Sequence, residues 1–136
     1  MSFQERLLIF LLRFQAILLL LAFGAVLLPT RWMAATHEWL GLGTFPEAPL
    51  TEYLTRSASL LYGIHGGLLL VLTRSVRRYH APLKYLILMG FVFGFTMTVI
   101  DGRAPMPLYW TLGEGPLILA FSVLLLYLLR FVPTED

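Results

Sequence analysis

Four apolar stretches, at 7–28, 52–72, 83–100 and 112–132, fill most of the chain, and the ionisable residues gather between them. A hydrocarbon core about 30 Å thick needs about 20 residues of helix to cross it, so each stretch is near the length of a membrane span. The pattern predicts an all-α membrane protein: a bundle of four transmembrane helices with a short interfacial helix in the first outer loop. Composition agrees, because 58% of the residues are hydrophobic and 13% charged, against roughly a quarter charged in soluble domains. At 136 residues, one integral membrane domain spanning 1–136 is expected.

Orientation follows from the cations. Arg6, Arg13, Arg74, Arg77, Arg78, Lys84 and Arg130 fall on one side of the spans, and Arg31, Arg56 and Arg103 on the other. Basic residues mark the cytoplasmic face, so both termini are predicted there, in the inner membrane of a bacterium. Arg6 and Arg13 before an apolar run imitate a secretory leader. The stretch from Leu7 to Leu12 is itself apolar, however, and no small-x-small site follows Leu28, so the segment reads as a retained first span. Arg13 then serves as an anchor whose charge snorkels to the headgroups.

In the first outer loop, Thr30 is a candidate helix cap, Trp32, Thr36 and Trp39 share a helical face, and Gly41 supplies a stop. Tryptophans on one face suit the membrane interface. His37 and Glu38 fall on the wet face. Gly41 and Gly43 resemble a dinucleotide loop only superficially, since Pro46 takes the third glycine position and no strand precedes it.

The second span carries the most patterned polarity. Glu52, Arg56, Ser59, Gly63 and Gly66 recur at helical spacing on one face, polar outside and small deeper in, while its other sides, Leu69 included, suit lipid. Gly90 and Gly94 give the third span a GxxxG face. The predicted contact pairs these faces, Gly63 and Gly66 against Gly90 and Gly94. It would bring Arg56 level with Asp101 and with Glu114 at the start of the fourth span. A guanidinium at that depth needs carboxylate partners, so an outer polar cluster of Glu52, Arg56, Asp101 and Glu114 is expected, with Tyr62, His65, Arg103, Tyr109 and Trp110 as surrounding residues. Pinning of helix ends is the simplest role for it, and binding of a ligand the alternative. Gly113 to Pro116 reads as an unwound approach to the cluster, with regular helix resuming near Pro116.

His65 lies in the inner half of the second span. An intramembrane histidine raises the question of a proton relay or a haem ligand, but His37 and His80 belong to opposite membrane sides, which leaves a polar contact between helices as its expected role. No metal site and no cofactor is predicted. The absence of cysteine excludes thiolate and disulfide chemistry. A net charge of +2, without basic residues interleaved with aromatics on a soluble face, does not suggest nucleic acid. Membrane lipids are the expected partners, with anionic lipid attracted to the basic loop around Arg74, Arg77, Arg78, His80 and Lys84.

Small multidrug transporters have four helices in a similar length but carry a carboxylate within the first helix, which this chain lacks there. Signatures of intramembrane proteases are also missing. In length and span count the whole chain resembles the small four-helix bacterial membrane proteins of the DoxX-like kind, a resemblance that carries no residue roles. The function expected is that of a non-enzymatic accessory or structural membrane component. A binder or carrier of a small hydrophobic molecule, such as a quinone or lipid, at the outer cluster is the first alternative. A membrane enzyme using Ser57, Ser59 or His65 is the second.

Overall fold

In the computed structural model, which describes residues 1–104 and 106–135, all regular structure is helical. Helix α1 (Phe3–Phe23) runs uninterrupted because its leucines and phenylalanines contain no breaker, and a single 3₁₀ turn (Gly24–Val26) extends it. Pro29 cannot continue a helix from Leu28. It instead stands in extended conformation just before α2 (Thr30–Trp39), so Thr30 is the first helical residue and not the cap. Gly41 and Gly43 carry the chain away with φ of 71° and 88°, a region that favours glycine. Helix α3 (Pro49–Leu72) opens on a proline, whose missing N–H costs nothing in a first turn.

Helix α4 (His80–Arg103) follows the basic loop and stops where Ala104 turns extended. Helix α5 (Leu108–Gly113) is separated from α6 (Gly115–Leu129) by one residue, Glu114, whose φ of −90° and ψ of −82° leave the helical region. The unwinding expected over Gly113 to Pro116 is thus confined to Glu114, and Pro116 already lies inside the first turn of α6. The last helix ends at Leu129, earlier than the predicted 132.

Three segments, Phe3–Val26, His80–Arg103 and Leu108–Leu129, are long and apolar enough to cross a membrane. Helix α3 has the length, 24 residues, but its first turns carry Thr51, Glu52, Thr55, Arg56 and Ser57, which dilute its apolar character. Much of the outer surface is hydrocarbon, including Phe14, Ile64, Phe95 and Leu117, each at least half exposed. A surface of that kind suits lipid as the solvent.

The chain divides into two compact units, residues 14–70 and residues 1–13 with 71–136. In the first unit α1 and α3 pack at a small-residue contact. A methyl group on Gly66 would sit 2.7 Å from the Ala16 carbonyl oxygen and 3.1 Å from the Leu20 nitrogen, and one on Gly63 would strike the Phe23 ring. In the second unit α4 packs along α6. Gly94 lies against the Leu119 backbone nitrogen and the Gly115 carbonyl, and Gly90 faces the Ser122 hydroxyl. Two glycine faces are therefore engaged as close backbone approaches: within the first unit α3 meets α1, and within the second α4 meets α6. A small-residue face encodes proximity to a helix without encoding which one. Leu69, assigned to the lipid side by sequence, is 2% exposed and belongs to the core with Ser59, Gly63 and Gly66.

Candidate functional site

The ionic residues of the predicted outer cluster form two pairs, each inside one unit. In the first, Glu52 and Arg56 lie one turn apart on α3. Arg56 donates from Nε to Glu52 Oε1 at 3.0 Å and from Nη2 to the same oxygen at 2.7 Å. The rest of the guanidinium turns to backbone: Nη1 donates to the Val26 carbonyl and Nη2 to the Leu28 carbonyl at 3.1 Å. These carbonyls lie where α1 passes through its 3₁₀ turn and stops before Pro29, so no helical N–H reaches them. A planar fork with five donors satisfies both at once. Thr30 also hydrogen-bonds Glu52, which joins the start of α2 to the start of α3. Arg56 therefore works as a clamp on the end of the first helix.

The second pair is Asp101 and Glu114. Asp101 sits near the end of α4, 4% exposed. Glu114 occupies the break between α5 and α6, half-buried. The close approach of Gly115 to Thr98 and to the Gly94 carbonyl sets their spacing. Gly115 has no room for a side chain there, and Thr98 is one turn before Asp101 on the same helix. The two carboxyl groups come within hydrogen-bonding reach of each other. Glu114 Oε2 accepts from the Trp110 indole Nε1 at 2.6 Å. Asp101 Oδ2 is buried and has no hydrogen-bond donor among the described residues.

The surrounding residues divide accordingly. Trp110 is part of the acid pair, Arg103 ends α4 as an exposed cation, and Tyr109 is 56% exposed on α5. Tyr62 and His65 belong to α3 in the first unit, Tyr62 at 38% exposure and His65 half-buried. His37 is not simply a wet-face residue, because its Nδ1 meets the Gly43 carbonyl at 3.0 Å and its ring packs edge-on against Phe45, which folds the glycine return onto α2. A groove of about 460 Å³ opens among Thr30, Arg31, Phe45, Glu47 and Glu52, where α2 returns to α3.

One ionic contact has no counterpart in the sequence reading. Glu5, 3% exposed near the start of α1, accepts from Arg77 Nε and Nη2 at 2.9 Å each, a bidentate pair spanning 72 residues. The carboxylate raises the Arg77 guanidinium further above its already high range. Arg77 is therefore a tie between the N-terminal helix and the basic loop, whereas Arg74, Arg78 and Lys84 remain exposed. The usable signal was Glu5 itself, an acid at the end of a span that sequence places level with the loop. Arg13 is exposed and reaches the buried Thr73 hydroxyl only at 3.4 Å, a weak contact.

The chain matches no protein-family model, no curated protein and no solved structure.

Proposed function

We propose that this chain is a four-span protein of a bacterial inner membrane, with both termini cytoplasmic, and that it acts as a non-enzymatic accessory or structural component. The observation that carries the reading is the use made of Arg56. Its guanidinium is committed to the Val26 and Leu28 carbonyls and to Glu52, a building role that uses four of its five N–H donors. Arg77 is spent in the same way on Glu5. Helix α3 is the fourth span in this reading: its polar first turns are tied to the end of α1 and its later turns are apolar. Arg74, Arg78 and Lys84 then face the cytoplasmic leaflet, where each basic group near anionic lipid contributes about 1 kcal/mol of attraction.

Reporter fusions test the topology. A cytoplasm-active reporter at the C-terminus and a periplasm-active reporter inserted near Pro46 should both be active, and activity on the opposite side at either point would overturn the model. Purification in mild detergent followed by mass spectrometry tests the role. A stoichiometric membrane-protein partner supports an accessory component, whereas a stoichiometric quinone or other small hydrophobic molecule would favour a carrier.

A further inference from the structure

Asp101 presents a problem of hydrogen bonding that the surrounding protein does not solve. A carboxylate buried in an apolar bundle needs donors for its oxygens, yet Oδ2 has none among the described residues, and the Asp101 carboxyl group has another carboxyl, that of Glu114, within hydrogen-bonding reach. Two ionised carboxylates are acceptors only and cannot hydrogen-bond to each other. Close approach in a low-dielectric setting also makes double ionisation costly.

The packing enforces this approach. Gly115 is held against Thr98 and the Gly94 carbonyl, and Glu114 is the residue at which helical geometry is interrupted. Interruptions of this kind within membrane helices expose groups that bind small ions. The charged group acting on Glu114 is Asp101; its further partner is the uncharged Trp110 indole. Arg103, the nearest cation along α4, is exposed and hydrogen-bonds neither carboxylate.

We propose that Asp101 and Glu114 form a proton-binding site in which the two carboxyl groups hold one exchangeable proton between them. The bound proton supplies an O–H donor to a buried carboxyl group that has an oxygen without one. Release breaks the O–H bond of the acid form, passes the proton to water and leaves two carboxylates; uptake reverses it. The Trp110 indole keeps its bond to Glu114 in both states and holds that side chain in place. The proposal goes beyond the structural reading above, and its test is independent of the reporter fusions.

Infrared spectroscopy of the full-length protein in nanodiscs of uncharged lipid reads the proton directly. At neutral pH the wild-type protein should show the C=O stretch of a protonated carboxyl group. Asp101→Asn and Glu114→Gln should each abolish it, and Glu38→Gln, at an exposed site, should leave it intact. Trp110→Phe, which removes the indole donor, should shift the band without removing it. A band absent from the wild type, or retained in both single variants, would overturn the proposal. So would an unshifted band in Trp110→Phe, because Glu114 would then not share the proton. Loss of the wild-type band when sodium chloride replaces choline chloride at fixed pH would identify a metal-cation site and reject a proton site. An absent wild-type band overturns the proposal even if a variant fails to fold.

Discussion

Arg56 and Asp101 are both ionic side chains near the ends of long helices, but their surroundings treat them in opposite ways. Arg56, with 30% of its side chain exposed, has a carboxylate and two backbone carbonyls within reach of its fork. Asp101, 4% exposed, has a carboxyl neighbour and one oxygen with no donor. A cation can be satisfied by backbone, since every helix end releases carbonyls. A buried anion must find N–H or O–H groups, and those inside a helix are already used. The difference separates a group that builds the fold from one that leaves a chemical capacity open. Both environments rest on close helix contacts, which is where the comparison breaks most easily.

The largest effects should therefore come from glycines at those contacts. Gly115→Leu forces a side chain into the Thr98 backbone and the Gly94 carbonyl, and Gly66→Leu into the Ala16 carbonyl and Leu20 nitrogen. Backbone cannot move aside as a side-chain tip can. Each should lower stability by about 3 kcal/mol or more, the upper end for overpacking. The neighbouring Gly67 has nothing within 4 Å of the added carbon, so Gly67→Ala should instead gain up to about 1 kcal/mol from helix propensity. Thermal denaturation of the purified variants in one detergent measures all three. Equal effects at positions 66 and 67 would show that α3 does not approach α1 closely.

A smaller effect tests the clamp. Arg56→Met removes the donors to Val26 and Leu28 and should cost about 1 to 3 kcal/mol, the range for polar groups left unsatisfied. If the carbonyls matter, adding Glu52→Gln should recover little, because they stay unpaired. If the ion pair with Glu52 were the main interaction, the double variant would return close to wild type. A thermal-stability double-mutant cycle separates the two.

These comparisons also show what the sequence could reveal. Helix existence was legible because apolar runs without breakers leave few alternatives, and Pro29, Gly41 and Pro116 marked changes of direction. The membrane-length character of three helices followed from the same runs. Four spans was the fuller expectation, and α3 is where hydropathy is least decisive, since the Glu52 and Arg56 turn that ties it down also makes it more polar. The contacts of α3 with α1 and of α4 with α6 were not legible. Gly63, Gly66, Gly90 and Gly94 announce close contact, but ridge and groove shapes on two competing neighbours choose the partner. The partners of Arg56 were half legible: a carboxylate four residues away is visible in the sequence, whereas carbonyls freed by a 3₁₀ turn appear only once the backbone is placed. Glu5 and Arg77 illustrate the same limit at long range, because their pairing depends on the loop conformation.

The smallest expected effect sharpens the other half of the comparison. If Asp101 and Glu114 share a proton, the pair already behaves as one neutral acid and one carboxylate, and Asp101→Asn replaces the acid with an amide of nearly the same shape. The amide N–H₂ donates to Glu114 in place of the shared proton, so stability at neutral pH should stay within about 1 kcal/mol of wild type, the size of a single exchanged hydrogen bond. Asp101→Ala removes both donor and acceptor beside a half-buried carboxyl group and should cost more, about 1 to 3 kcal/mol. The order Asn milder than Ala is therefore specific to a hydrogen-bonded pair. An ordinary buried ion pair behaves differently: neutralising Asp101 would strand a cation and cost about 3 to 5 kcal/mol whichever residue replaced it. Thermal unfolding of the two variants side by side decides between these descriptions, and a large, equal loss in both would show that Asp101 is an anion with a cationic partner and not half of an acid pair.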